Sequence, residues 1–142
     1  MIPNIQVLST PIVERTHSNK TYNIVVNPSI IVGNDSYKNR IKGTITDLEA
    51  VEQSVYLALG TERYRFPIYS WDYGIELLNL YGKPMPYVMA ELPERIKEAL
   101  RVDDRIIDAT DFKFVQNGRT LTVSFTVLTK HGELPSRLEV DV

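Results

Sequence analysis

Residues 104–130 hold the pattern that most limits the fold. Two alternating runs, Asp104 to Gln116 and Arg119 to Lys130, are joined by Gln116-Asn-Gly-Arg119. Asn117 and Gly118 both accept positive φ, so the spacing predicts a two-residue type I′ hairpin turn. With those two residues as the loop, Phe114 faces Leu121 and Phe112 faces Val123. Leu121, Val123, Phe125 and Val127 alternate with Thr122, Ser124, Thr126 and Leu128. One face of the hairpin is therefore apolar and needs cover, and the other is mostly hydroxylated.

The cover comes from upstream. Val88, Leu92, Ile96 and Leu100 recur at helical spacing, with Pro86 suited to a first turn. Pro93 lies within this stripe and cannot donate to the carbonyl of Met89, which predicts a kink or a start nearer Leu92. Leu48, Val51, Val55 and Leu59 mark another helix, over 47–59. Thr46 and Glu49 have capping-box spacing at its start, and Gly60 supplies a left-handed stop at its end. A short helix over 73–81, capped by Asp72, is predicted with Leu77, Leu78 and Tyr81 inward.

Two further strands precede the helices. Thr21 to Val26 alternates, with Tyr22, Ile24 and Val26 on one face, and Ile41, Gly43 and Ile45 alternate with Lys42, Thr44 and Thr46. Pro3, Pro11 and neighbouring polar residues make 1–19 an extended arm. Asn-Pro and Gly-Asn-Asp make 27–38 a loop. After Gly132, residues 133–142 form a short polar tail able to extend. The order of strands, helices and a long hairpin predicts a small single α+β domain. Its mixed or antiparallel sheet would pack on two or three helices, with the domain over 20–132.

At 142 residues such a chain buries a core without staples. It has no cysteine, which excludes disulfides, cysteine zinc sites and a thiol nucleophile. No window approaches a membrane span. Met1 to Gln6 lacks the basic and apolar runs expected of a signal peptide. The net charge of −2 argues against a nucleic-acid partner. Residues 1–42 carry five bases and two acids and the remainder 11 bases and 16 acids, an asymmetry more often ordinary surface charge than a docking field.

Catalytic chemistry finds little support. His17 and His131 stand apart from any Ser or Asp context of a triad, and no metal-ligand spacing or phosphate-cradling Gly loop occurs. The pattern implies no cofactor and no metal. Glu62 and Asp72 could be imagined as a carboxylate pair for peptidoglycan cleavage. Arg63 and Arg65 flank Glu62, however, a poor setting for the protonated acid that such cleavage needs. A Glu–Arg network pinning an irregular loop fits these residues better. That loop carries Tyr64, Phe66, Tyr69, Trp71 and Tyr73, the residue types that dominate protein interfaces together with Arg.

At this segment the sequence resembles a known family. Asp47-Leu-Glu-Ala-Val51, Thr61-Glu-Arg-Tyr-Arg65, Tyr69-Ser-Trp-Asp-Tyr-Gly74, Arg95-Ile-Lys-Glu-Ala-Leu100, Asp103-Asp-Arg-Ile-Ile107 and Phe112 are similar to the tail protein family of PBSX-like prophages. That family belongs with the lysozyme-like baseplate wedge proteins of contractile tails. The resemblance covers roughly 20–132. It implies a non-enzymatic wedge component and sheath initiator of a phage or tailocin baseplate. The implied partners are other wedge proteins and the tail sheath protein, with no nucleic acid or membrane, in multiple copies. Assembly in the host cytoplasm before incorporation into the tail follows. A tail muramidase or a general protein-binding module is the rival expectation. The family's Glu-Pro-Arg-like signature is matched as Glu62-Arg63 with Pro67 following, and Tyr73 and Gly74 carry over as motif residues.

Overall fold

The computed structural model describes residues 19–24 and 41–142. The predicted arm, apart from Asn19, the loop over 27–38 and the strand positions 25–26 lie outside the described residues. The elements are β1 (Lys20–Ile24), β2 (Ile41–Thr46), α1 (Asp47–Leu59), a 3-10 turn (Leu78–Leu80), α2 (Met85–Leu100), β3 (Ile106–Asn117), β4 (Thr120–Thr129) and β5 (Gly132–Asp141). β1 and β2 form an antiparallel pair, and β3-β4-β5 form an antiparallel sheet with β4 central. This is the expected α+β class. The core lies where α1 and α2 cover the apolar face of the larger sheet. Residues 133–142, expected as an extended tail, form almost all of β5 and pair with β4 along its length.

The helix stripes fold as their spacing predicts. Val51, Val55 and Leu59 of α1 and Val88, Leu92, Ile96 and Leu100 of α2 are buried. Helix α2 begins at Met85 with Pro86 in its first turn and carries Pro93 within it, so no restart occurs near Leu92. An internal proline costs about 3 kcal/mol. Burial of each large aliphatic side chain returns about 1.5–3 kcal/mol, so the continuous stripe wins.

The predicted helix ends are corrected. Thr46 makes no side-chain cap bond. Its backbone is extended and pairs with Lys20 as the last rung of the β1–β2 ladder, while the Asp47 amide donates to the Asn19 carbonyl (3.0 Å). Strand pairing has taken the place of the capping box. Gly60 is right-handed, at φ −85°. The helix stops instead where the Thr61 hydroxyl donates to the Leu57 carbonyl (2.7 Å). The short helix over 73–81 shrinks to its 3-10 turn, and Leu78 and Tyr81 are exposed while Ile75 and Leu80 enter the core. The cause is local: residues around Ile75 are drawn into an extended bridge with Glu62.

The hairpin forms one step further along than predicted. Asn117 pairs with Thr120 and Phe114 with Val123, so Gly118 and Arg119 make the turn. Only Gly118 of these residues has positive φ (+63°), the φ pattern of type II′ rather than I′. A two-residue shift leaves every side chain on its expected face, because side-chain direction repeats every second residue. Two irregularities then correct the phase of β3. The register slips between Ile106 and Asp108 and again between Thr110 and Lys113, where Asp111 has a φ of +57°. Each inserted residue re-aims the strand. Ile106, Ala109 and Phe112 therefore all meet the core, although strict alternation would separate them. Phe112 stacks on Phe125 at 5.5 Å.

A polar clasp joins α1 to the α2–β3 junction. The Ser54 hydroxyl donates to Asp103 (2.8 Å), and Arg105 donates to both Asp103 oxygens at 2.9 and 2.6 Å. Burial pushes the Asp103 carboxyl up, but the bonds from Arg105 and Ser54 and the Arg105 charge outweigh it and hold the group at about 2.

Two outcomes follow. Gly118→Val should cost about 1–2 kcal/mol in denaturant unfolding, because a branched residue must take positive φ. Asn117→Ala should change stability by less than about 0.5 kcal/mol; the reverse order would restore the I′ turn. The folded Asp103 pKa lies below its ordinary 3.8. Its stabilisation is thus complete above that value and is lost as pH falls towards 2. Acid titrations of wild type and Asp103→Asn should show the wild type more stable near neutrality and the two curves converging at low pH.

Candidate functional site

Two chain segments approach head to tail beneath the exposed loop. The Arg63 amide donates to the Ile75 carbonyl (3.0 Å) and the Ile75 amide to the Thr61 carbonyl (2.9 Å). This parallel bridge closes a loop over 64–73 at its base. Arg63 is 7% exposed and fastens the closure. Its Nε and Nη2 donate to the Gly74 carbonyl at 3.2 and 3.1 Å, and its Nη1 donates to Glu98 of α2 at 2.8 Å. Glu76 lies 3.5 Å from the same nitrogen. Burial works against the Arg63 charge, but Glu98, then Tyr64 and Glu76, outweigh it and raise its pKa. Arg95 of α2 donates to the Glu76 carbonyl (2.9 Å). The loop base is thereby pinned to α2.

Gly74 is required by its surroundings. Its φ is +99°, and a Cβ there would stand 2.5 Å from the Thr61 carbonyl oxygen. The close strand approach and the positive φ both exclude a side chain.

Glu62 plays a different part from the one expected. Arg63 takes its partners from Gly74, Glu76 and Glu98, and the Glu62 carboxylate accepts from the Leu77 and Leu78 amides at 3.1 Å. It holds the chain leading into the 3-10 turn. Pro67 stands apart from this base, at the second position of a turn in which the Tyr69 amide donates to the Phe66 carbonyl (3.2 Å), a position that suits its fixed φ. Tyr73 is half-buried and stacks on Tyr69 at 4.6 Å; burial, then Tyr69, raises its hydroxyl pKa. Sequence reasoning missed Glu76, Arg95 and Glu98 as members of the network. Arg95 and Glu98 are one helical turn apart beside the apolar stripe, a signal that ordinary surface charges share.

The loop itself presents apolar surface. Ile68 is 87% and Trp71 83% exposed, and Tyr64, Phe66 and Tyr69 are also exposed. These rings pack on each other: Tyr64 lies 5.9 Å from Trp71, Phe66 meets Tyr69 edge-on, and Arg65 covers Phe66. Large apolar side chains held out of the core and against one another suit a preformed protein contact. Asp72 is fully exposed, its pKa lowered by a hydrogen bond from Ser70. Among the described residues no cluster of His, Cys, Asp or Glu is placed to hold a metal, and no helix is long and apolar enough to cross a membrane.

The model of the contractile injection system sheath initiator family matches residues 20–132. The chain belongs to that family. Sheath initiators are structural parts of contractile tails, so the chain has a structural role in a tail of this kind. The chain is also similar to the phage-like element PBSX protein XkdS of Bacillus subtilis (strain 168). The two are 45% identical over 93 residues, 63% of this chain and 66% of the relative. The chain thus spans just under two thirds of that relative's length. The resemblance to PBSX-like prophage tail proteins is confirmed. In this chain the bridge of Thr61–Arg63 with Gly74–Glu76 closes the base from which the aromatic loop projects.

The platform makes a testable demand. Gly74→Ala should cost about 2–4 kcal/mol, as backbone strain and a backbone clash combine. Arg63→Ala should cost about 2–3 kcal/mol, the range for losing hydrogen bonds made by a charged group. Glu98→Gln, on the solvent side, should cost less than about 1 kcal/mol. Chemical unfolding of the three variants checks this order, and equal effects of Arg63→Ala and Glu98→Gln would show that the Gly74 carbonyl is not the main partner.

Proposed function

We propose that this chain is a non-enzymatic wedge subunit of a contractile phage-tail or tailocin baseplate, where it holds the wedge core and starts the sheath. The observation that carries the reading is the aromatic loop over 64–73, displayed on a base closed by buried Arg63. Glu62, Arg63, Pro67, Tyr73 and Gly74 serve this surface by shaping it, and the exposed Ile68 and Trp71 make the contact with the wedge proteins. The region 104–142 pairs with strands of the first sheath ring, since an open sheet edge docks a further strand by main-chain hydrogen bonds. The chain works in several copies, folds in the host cytoplasm and ends in the baseplate, without nucleic acid, membrane or cofactor.

Peptidoglycan cleavage is disfavoured by the placement of Glu62. Both its oxygens accept backbone amides, so neither is presented to a sugar.

The test is incorporation into tails. Ile68→Ser with Trp71→Ala should melt within about 0.5 kcal/mol of wild type, as exposed substitutions do, yet the variant should be missing from purified tail particles on immunoblots. Normal incorporation would place the wedge contact elsewhere. The purified wild-type chain should leave peptidoglycan gels uncleared, and clearing abolished by Glu62→Gln would reverse the non-enzymatic reading.

A further inference from the structure

A recess of about 160 Å³ opens beside the aromatic loop, between α1 and the end of α2. Ala58, Ala99 and Leu100 form its buried floor, and the half-buried Tyr73, Val102 and Ile106 stand around it. Protein interiors leave few voids larger than a water molecule. Here three small side chains, Ser54, Ala58 and Ala99, line the space, and no large neighbour fills it. The size is that of a small ring: a dry apolar cavity of about 150 Å³ takes up benzene.

The polar end of the recess is closed on itself. The Ser54 hydroxyl donates to Asp103 (2.8 Å), and Arg105 Nε and Nη2 donate to the same carboxylate at 2.9 and 2.6 Å. A charge brought in would meet a pair already neutralised within itself and would lose its water for little return. The remaining walls offer carbon, so the space suits an apolar occupant. Tyr73 joins it to the exposed loop. Its ring stacks on Tyr69 at 4.6 Å, and Tyr69 is exposed. At the β3 wall, Ile107 follows Ile106 at the first irregularity of the strand and is 65% exposed. A surface laid over Tyr69 and Tyr73 thus reaches the recess.

Resting on the reading of the aromatic loop as the wedge contact, we propose that this recess is the socket for one apolar side chain of the wedge partner, of leucine or phenylalanine size. The loop supplies the projecting half of the contact through Ile68 and Trp71, and the socket supplies the receiving half. Interface anchors are large side chains seated in desolvated pockets, with the surrounding contacts excluding water. A larger residue at position 58 would fill the space in the free chain and shut the anchor out.

Filling the recess separates a socket from a packing defect. Ala58→Leu occupies the floor. Val102→Phe narrows the space from a half-buried position just past α2 and does not depend on the floor tolerating a larger residue. Benzene is the probe for the space itself. In methyl NMR spectra of the full chain it should shift the Ala58 and Ala99 methyls saturably in wild type, and the Ala99 methyl should no longer respond in Ala58→Leu. Each variant that melts at or above the wild-type temperature should be depleted about tenfold or more from purified tail particles, as for the loss of one anchor. Val115→Ser, on the exposed face of β3, should be incorporated normally. Wild-type methyls that ignore benzene overturn the socket. Normal incorporation of a folded Ala58→Leu or Val102→Phe chain, with the Ile68→Ser, Trp71→Ala chain still excluded from tails, also overturns it and leaves the loop reading standing. Normal incorporation of the Ile68→Ser, Trp71→Ala chain overturns both.

Discussion

Arg63 fastens two chain segments and a helix together at the base of the aromatic loop. Each of its guanidinium nitrogens has a partner: two on the Gly74 carbonyl and the third on Glu98, with Glu76 close by. A buried cation without such partners would be expensive. With them, it fixes the end of one segment to the start of another and both to α2. The parallel bridge around Glu62 and Ile75 and the Glu62 bonds to the Leu77 and Leu78 amides hold the same base.

The same closure explains why an aromatic-rich segment can stay outside the core. A loop of this composition would ordinarily collapse inward to bury its rings. Here both ends are held by backbone hydrogen bonds, and the core is already filled by α1, α2 and β4. The rings satisfy one another instead, through the Tyr69–Tyr73 stack and the Tyr64–Trp71 contact. Rings held against one another on a pinned base have little conformational entropy left to lose on any contact.

In the C-terminal sheet the strands differ in how far their backbone groups are paired. β4 is paired on both sides and buries its alternate residues, so it serves the core. β5 uses its even-numbered residues for pairing and packing, and leaves its odd-numbered backbone groups to the outside. Bulges interrupt β3, and at β1 the Gln53 side-chain amide accepts from the Ile24 amide and donates to the Tyr22 carbonyl.

Periodicity alone determined much of this protein. The α1 and α2 stripes, the alternating strand 120–129 and the α+β class were legible because burying an apolar face is a local, repeating requirement. Glu62, Arg63 and Gly74 could be singled out as a motif, but not their geometry. Tertiary structure decided that Arg63 binds Gly74 and Glu98 rather than Glu62, since those partners are brought near only by the bridge and by α2. It decided that Thr46 stays in a strand, because pairing with Lys20 competes with capping. It also moved the hairpin turn to Gly118 and Arg119: Asn-Gly allows two placements of the turn, and both leave every side chain on its expected face, so alternation along the strands cannot choose between them.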